Sequence, residues 1–409
     1  MLEASDYPKK NTNLSTGRIY IHLLFALLGL LFSTYVMSEE IPVFDYGPYS
    51  VGSSNVRIAK AFSQLSGEEM DRYLIGENLN NERHFIDEIL SEKDSPLLLE
   101  VSIPDDSTIY GSAAGLSLPV FIYVTYPTRA DNSREHYDFP YARTADTRFE
   151  HMQSAGEKPI FADEKKRYPL VFNSHGMNSH GFWGASGSTK LSSHGYIAAT
   201  LNFGDARLKE DREIHFHENL RPFIAQVALD FLLDHQDYKE HIDLTRIAAS
   251  GHSLGGYTSF SLAGGDYNGE AGVIEEVRIH AVIASAPWTG ANWDGEEHYP
   301  FGDKNIGLSM VRVPVLGLYG SNDMSVQPSF VLPAFQQLSG PRYVVELVGQ
   351  PHIYAPGSWQ DQSNWVLLFL AAYLKDDETA RKQLALTTSM QDGGVDRQKF
   401  ELQRLDIKK

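Results

Sequence analysis

The most constraining feature of the chain is the run Gly251-His252-Ser253-Leu254-Gly255-Gly256. It follows the strand candidate Arg246-Ile247-Ala248-Ala249-Ser250 and precedes a helical pattern over 257–263. A serine in this G-x-S-x-G spacing, between a strand and a helix, sits on a turn too sharp for side chains two residues to either side. Gly251 and Gly255 meet that demand. The serine hydroxyl then stands at the carboxyl end of a strand and at the amino end of a helix, whose dipole favours developing negative charge.

The surrounding chain supplies a sheet to carry such a turn. Short apolar runs at 168–173, 196–203, 246–250, 279–286, 313–319 and 343–348 read as strands. Helical patterns lie between or after them, at 220–234, 329–338 and 362–375. Near-continuous apolar strands separated by helices predict a mainly parallel central sheet with helices on both faces. In such sheets the chemistry lies just beyond the carboxyl ends of the strands.

Three of those ends carry the groups an acyl-transfer serine needs. After 168–174 comes His175-Gly176-Met177, and the Met177 N–H is the candidate for one oxyanion donor. The N–H of Leu254, directly after the serine, is the other. After 313–319 comes Gly320-Ser321-Asn322-Asp323; after 343–348 comes Gly349-Gln350-Pro351-His352. The chain order Ser, acid, His is the one expected for this sheet. His352 would act as base and then acid, with Asp323 holding its tautomer. Asp294, in an adjacent loop, is a rival for the acid.

The stretches Pro169-Leu170-Val171-Phe172-Asn173-Ser174-His175-Gly176, 191–200 and 251–256 resemble α/β-hydrolases of the dienelactone-hydrolase type. They are also similar to plasma-type platelet-activating-factor acetylhydrolases and cutinase-like polyester hydrolases. The resemblance spans about residues 114–375. It implies an α/β-hydrolase fold and a serine esterase, and assigns the triad and oxyanion roles to the positions already named. Two departures narrow it. The acetylhydrolases place their acid after the sixth strand, where this chain reads Ala284-Ser285-Ala286-Pro287-Trp288, which favours Asp323. Dienelactone hydrolases proper use cysteine, and this chain has none. The Ala286-Pro287-Trp288 segment resembles the polyester hydrolases, where the tryptophan flanks substrate. Trp288 is therefore expected to bind substrate, and Phe182 to line the mouth of the site with Met177.

The remaining sequence sets limits. With 35 Lys+Arg against 53 Asp+Glu, the chain carries a formal charge of −18. Nucleic acid is an unexpected partner for so acidic a protein. The absence of cysteine removes disulfides, Cys-ligated metals and a thiol nucleophile. His215 and His217 have a spacing that can hold a metal, but alternating histidines before a helix are usually solvated, so no metal is expected. No cofactor is expected either. The expected partner is a small-molecule, lipid or polyester ester. Arg221-Pro222 reads as the opening of the following helix, since proline suits a first turn.

Five segments are expected. Residues 1–38 read as a signal peptide or membrane anchor: basic residues Lys9, Lys10 and Arg18 precede an apolar run, and Val36 and Ser38 suit a cleavage site. As an anchor, residues 19–38 would be just long enough to span a bilayer. Either reading predicts an exported protein, touching membrane only through this segment. Residues 39–127 are an N-terminal extension with the first strands, and 128–167 a loop-rich insertion. Residues 168–375 are the catalytic core, and 376–409 a charged, peripheral tail.

Overall fold

The computed structural model describes residues 43–57, 67–75, 97–139, 148–204, 214–267, 278–293, 295–386 and 396–400. The expected leader segment lies outside the described residues, among which no helix is long and apolar enough to cross a membrane.

One mixed sheet organises the body from residue 40 onward. Its strands are β1 (Ser50–Ser53), β2 (Leu98–Ser102), β3 (Ser117–Thr128), β4 (Tyr168–Ser174), β5 (Ile197–Asn202), β6 (Ile242–His252), β7 (Ile279–Ser285), β8 (Val315–Gly320), β9 (Arg342–Leu347) and β10 (Asp396–Phe400). The order across the sheet is β1-β3-β5-β4-β6-β7-β8-β9-β10, with β2 also paired to β3. The six strands from β5 to β9 run parallel. Antiparallel strands flank them: β3 on one side and β10 on the other.

Period-two alternation sends successive side chains to opposite faces, and both faces are covered. On β4, Leu170 and Phe172 enter one core and Val171 the other; on β6, Ile247 and Ala249 part from Ala248 in the same way. The first core is closed by helices α1 (Ile214–Asp234), α2 (Leu254–Leu262) and α3 (Pro328–Gln337). The second is closed by α4 (Trp359–Leu374) and α5 (Glu378–Leu386). All nine residues of α2 are buried, which explains why its sequence shows no polar face.

Three expectations need correction. The tail is not merely peripheral: Ala380 and Leu384 of α5 are buried in the second core, and β10 extends the sheet. The polar composition hid this because α5 packs through only those two residues. Helix α1 starts at Ile214, so Pro222 lies inside it rather than at its first turn. Proline removes the N–H that would bond the carbonyl four residues earlier. That carbonyl, of Glu218, accepts the Tyr257 hydroxyl at 2.9 Å instead. His217, in the same helix, is buried rather than solvated; the side chain of His215 lies outside the described residues.

The extension and the insertion are fastened to the sheet. The Phe44 N–H donates to Asn364 Oδ1, and the N–H groups of Gly47 and Tyr49 donate to Ser193. In the insertion, Phe139, Phe149 and Met152 are buried against Phe121 and Tyr123 of β3.

Candidate active site

The turn at Ser253 has the strain its sequence calls for. Ser253 sits at φ 55, ψ −120, a region that costs a non-glycine residue about 1–3 kcal/mol. Packing holds it there. A Cβ on Gly255 would lie 1.9 Å from the Ser174 carbonyl oxygen, and one on Gly251 would lie 2.2 Å from that of Gly255. The Ser253 N–H donates to the Ser285 carbonyl, and the Trp288 N–H donates to the Ser253 carbonyl, both at 2.9 Å. Ala286, at φ 39, makes the turn after β7 that delivers the Trp288 N–H.

The loop after β4 lies directly against this turn. A Cβ on Gly176 would be 3.4 Å from the Ser253 Cβ. Two buried groups fix the loop. The Arg221 guanidinium donates to the carbonyls of His175 (2.5 Å) and Gly176 (3.1 Å), and lies 4.5 Å over the Phe203 ring. The His175 Nε2 accepts from the Phe203 N–H at 3.1 Å, which leaves Nδ1 to donate to the Gly176 carbonyl at 2.8 Å. With those carbonyls turned toward Arg221, the next peptide N–H, of Met177, faces away from the clamp. Among the described residues, neither the Met177 nor the Leu254 N–H has a hydrogen-bonded acceptor. Two such donors beside a serine hydroxyl are what a tetrahedral oxyanion requires.

Asp323 and His352 meet at the ends of β8 and β9. Asp323 is 2% exposed. Its Oδ1 accepts the Ser325 and Val326 N–H groups, each at 2.8 Å, and its Oδ2 accepts from His352 Nδ1 at 2.7 Å. Three donors on one buried carboxylate fix its orientation and leave His352 Nε2 for other work. The Ser253 hydroxyl and the His352 imidazole are not hydrogen-bonded to each other in this structure; such contacts often tighten only with substrate bound. Asp294 lies outside the described residues.

His252 links the two halves of the site, and sequence reasoning passed over it. Its Nε2–H donates to the His352 carbonyl at 2.9 Å, and its ring centroid is 4.7 Å from that of His352. Burial, and then the neighbouring His352, push its pKa down to about 4, so it is a neutral donor at neutral pH. The x in G-x-S-x-G carries no residue preference in the motif, so nothing in the pattern singled it out.

The expected substrate residues fare differently. Phe182 does not line the mouth of the site. It is 1% exposed, stacked between Phe139 (4.3 Å) and Tyr123 (5.4 Å). The short turn Gly181–Gly184 presses its ring onto β3 and leaves its neighbour Trp183 outside. Trp288 is beside Ser253 through its backbone, but its indole is largely covered, 7% exposed, with Nε1–H donating to Glu218 Oε1 at 2.6 Å. Trp293 is the exposed tryptophan of this segment.

A sheet of parallel strands, a strained serine between β6 and α2, and a buried acid–histidine pair at later strand ends describe one fold. It is the α/β-hydrolase fold. Residues 144–300 match the family model described as Chlorophyllase, a family of α/β-hydrolase type. The matched stretch holds the Met177 loop, the Ser253 turn and Trp288, and ends before Asp323 and His352. The match points to an ester hydrolase. No curated protein matches the chain.

Proposed function

We propose that this chain is a serine hydrolase of carboxylic esters, with Ser253 as nucleophile, His352 as base and acid, and Asp323 as the orienting carboxylate. The Ser253 oxygen attacks the ester carbonyl carbon while His352 Nε2 takes its proton. The resulting oxyanion accepts the Met177 and Leu254 N–H groups. Collapse breaks the bond to the alcohol oxygen, which leaves with the proton from His352. Water, deprotonated by the same nitrogen, then releases the acid from the acyl-serine. The reaction needs no cofactor. The observation that carries this reading is the juxtaposition of the strained Ser253 with two unengaged N–H groups, Met177 on the adjoining loop and Leu254 at the start of α2.

The acidic surface favours neutral over anionic esters, since field lines from a charge of −18 repel anions at low salt. The basic-then-apolar residues 1–38 support export, either after cleavage or on an anchor.

Labelling by a fluorophosphonate tests the reading, with Ser253→Ala as control. The expected result is one label, at Ser253, lost in the variant. A panel then separates substrates: p-nitrophenyl esters of rising acyl length, an acetylated phospholipid, a soluble polyester oligomer, chlorophyll and an anilide. Chlorophyll enters because the matching family is named for it. Absence of both labelling and ester turnover would leave a binding protein on a hydrolase scaffold, and full ester turnover by Ser253→Ala would move the nucleophile elsewhere. A faster anilide would make it an amidase.

A further inference from the structure

A cavity lies at the opposite edge of the sheet from Ser253, and the reaction above does not use it. Helix α4 starts just beyond the His352 loop and ends beside Lys375. Its 16 residues, at about 1.5 Å each, carry the chain about 24 Å. There a cavity of about 180 Å³ opens between α4, α5 and the residues that lead into β5. Phe44, Leu367, Leu368 and Ala371 form its apolar wall; His194, Tyr196 and Lys375 lie on its polar side.

Two polar groups of this cavity lack the partner their chemistry calls for. Lys375 is half-buried, and its Nζ donates to the His194 carbonyl at 2.6 Å and lies 3.9 Å from the Tyr196 ring centroid. Among the described residues no carboxylate pairs with it. Burial, and then Lys166 and Arg246, push its pKa down to about 8, so the charges acting on it are positive. Asp377 also borders the cavity, but its Oδ1 accepts the Thr379 and Ala380 N–H groups and caps α5. Tyr196 is 1% exposed, and its hydroxyl has no hydrogen-bonded partner among the described residues. Burial, and then Asp377, push its pKa up, so the hydroxyl keeps its proton and can donate.

We propose that this cavity is a binding site for a small apolar monocarboxylate, with the carboxylate bridging Lys375 and Tyr196 and the tail lying on Phe44, Leu367, Leu368 and Ala371. An ammonium 3.9 Å over the ring centroid is about 5 Å from the phenol oxygen, a gap that the two oxygens of one carboxylate span with bonds of about 2.8 Å. The anion supplies the charge-assisted bond that Lys375 lacks and offsets the repulsion from Lys166 and Arg246. The apolar wall favours an organic acid over phosphate or sulfate, which would lose hydration against it without return. An apolar cavity of about 150 Å³ accepts benzene, so this one suits an acid of about six to nine non-hydrogen atoms. The site is independent of the reaction at Ser253.

The probe is hexanoate, titrated by saturation-transfer NMR, with hexanamide as its neutral isostere. Wild-type protein binds hexanoate saturably, with a Kd of order 1 mM, and hexanamide at least tenfold more weakly. Lys375→Met weakens hexanoate at least tenfold and removes most of its lead over the amide. Tyr196→Phe removes one neutral donor and weakens hexanoate about three- to tenfold. Ala371→Leu fills the cavity and weakens both probes. Asp323→Asn, at the other sheet edge, leaves the affinity unchanged. If Lys375→Met does not fold, Ala371→Leu and the amide comparison decide. No saturation by about 20 mM hexanoate, or equal affinity for hexanamide, overturns the proposal. So does an affinity within threefold of wild type in both Lys375→Met and Ala371→Leu. Loss of binding in Asp323→Asn in their place overturns it as well, by assigning the acid to the Ser253 site.

Discussion

Asp323→Asn is the sharpest perturbation of the site, because it changes one atom and leaves the shape alone. Asp323 uses both oxygens: Oδ1 takes two backbone N–H groups, and Oδ2 takes His352 Nδ1. Asparagine has one oxygen and one NH2. Two backbone donors at 2.8 Å claim the oxygen, so the NH2 faces His352. Two donors cannot share that contact, and His352 must shift its hydrogen to Nε2. A protonated Nε2 cannot take the serine proton. The same swap in serine-protease triads lowers kcat by about 10⁴-fold. That is about 5.4 kcal/mol of transition-state stabilisation, at about 1.36 kcal/mol per decade. Stability should change little, since the two turn hydrogen bonds survive. The assay is kcat on p-nitrophenyl acetate at neutral pH, with thermal unfolding alongside. A folded Asp323→Asn within tenfold of wild type would refute the tautomer argument. A large loss in Asp294→Asn together with that result would move the acid to Asp294.

Other expectations follow from named contacts. Arg221→Met removes two charge-assisted bonds to buried carbonyls, each worth about 1.5–3 kcal/mol, so chemical denaturation should show a loss of about 3–6 kcal/mol together with a lower kcat; an unchanged midpoint would contradict the clamp. Gly255→Ala places a methyl 1.9 Å from a backbone oxygen with no flexible side chain to yield, and should give insoluble or unfolded protein; a normal melting curve would show that the turn can open. Lys375 is pushed down to about 8, first by burial and then by Lys166 and Arg246. A cation with a lowered folded pKa binds fewer protons than in the unfolded chain, so its contribution to stability rises between about pH 8 and 10.5 and is flat below 8. Stability of Lys375→Met minus that of wild type, measured across that window, should therefore fall as pH rises; a constant difference would rule the shift out.

The parts of the molecule legible in the sequence were those under a local rule. Parallel strands buried on both faces read as apolar runs, and the strained serine required small residues at fixed offsets. The order of Ser253, Asp323 and His352 along the chain followed from their strand ends. Parts that depend on contacts across the fold did not show. Phe182 and Trp183 are adjacent and both aromatic, and only the turn at Gly181–Gly184 decides which one is buried. Pro222 suggested a helix start because its missing N–H is harmless there. Inside α1 it is tolerated because Tyr257, 35 residues later, takes the released carbonyl. Helix α5 and strand β10 are drawn in by a sheet edge that the tail's own composition does not reveal.

The residues that sequence reasoning missed share a position in the design. Ser253, Met177 and His352 each follow the end of a different strand. Each is held by a hydrogen-bond donor from a different element. His252, beside the nucleophile, holds the His352 carbonyl; Arg221, on α1, holds the two carbonyls that precede Met177; the Trp288 N–H holds the carbonyl of Ser253. Misplacing a reacting group by about 1 Å can cost about 10²-fold in rate. A site assembled from separate loops therefore needs cross-links between loops more than it needs further contacts within them. Such cross-links leave no spacing signature, because their partners are 35 (Ser253 to Trp288) to 100 residues apart. His252 is suited to the task because it is neutral at working pH: it donates a hydrogen bond without placing a second positive charge beside the imidazolium that the proposed mechanism forms on His352.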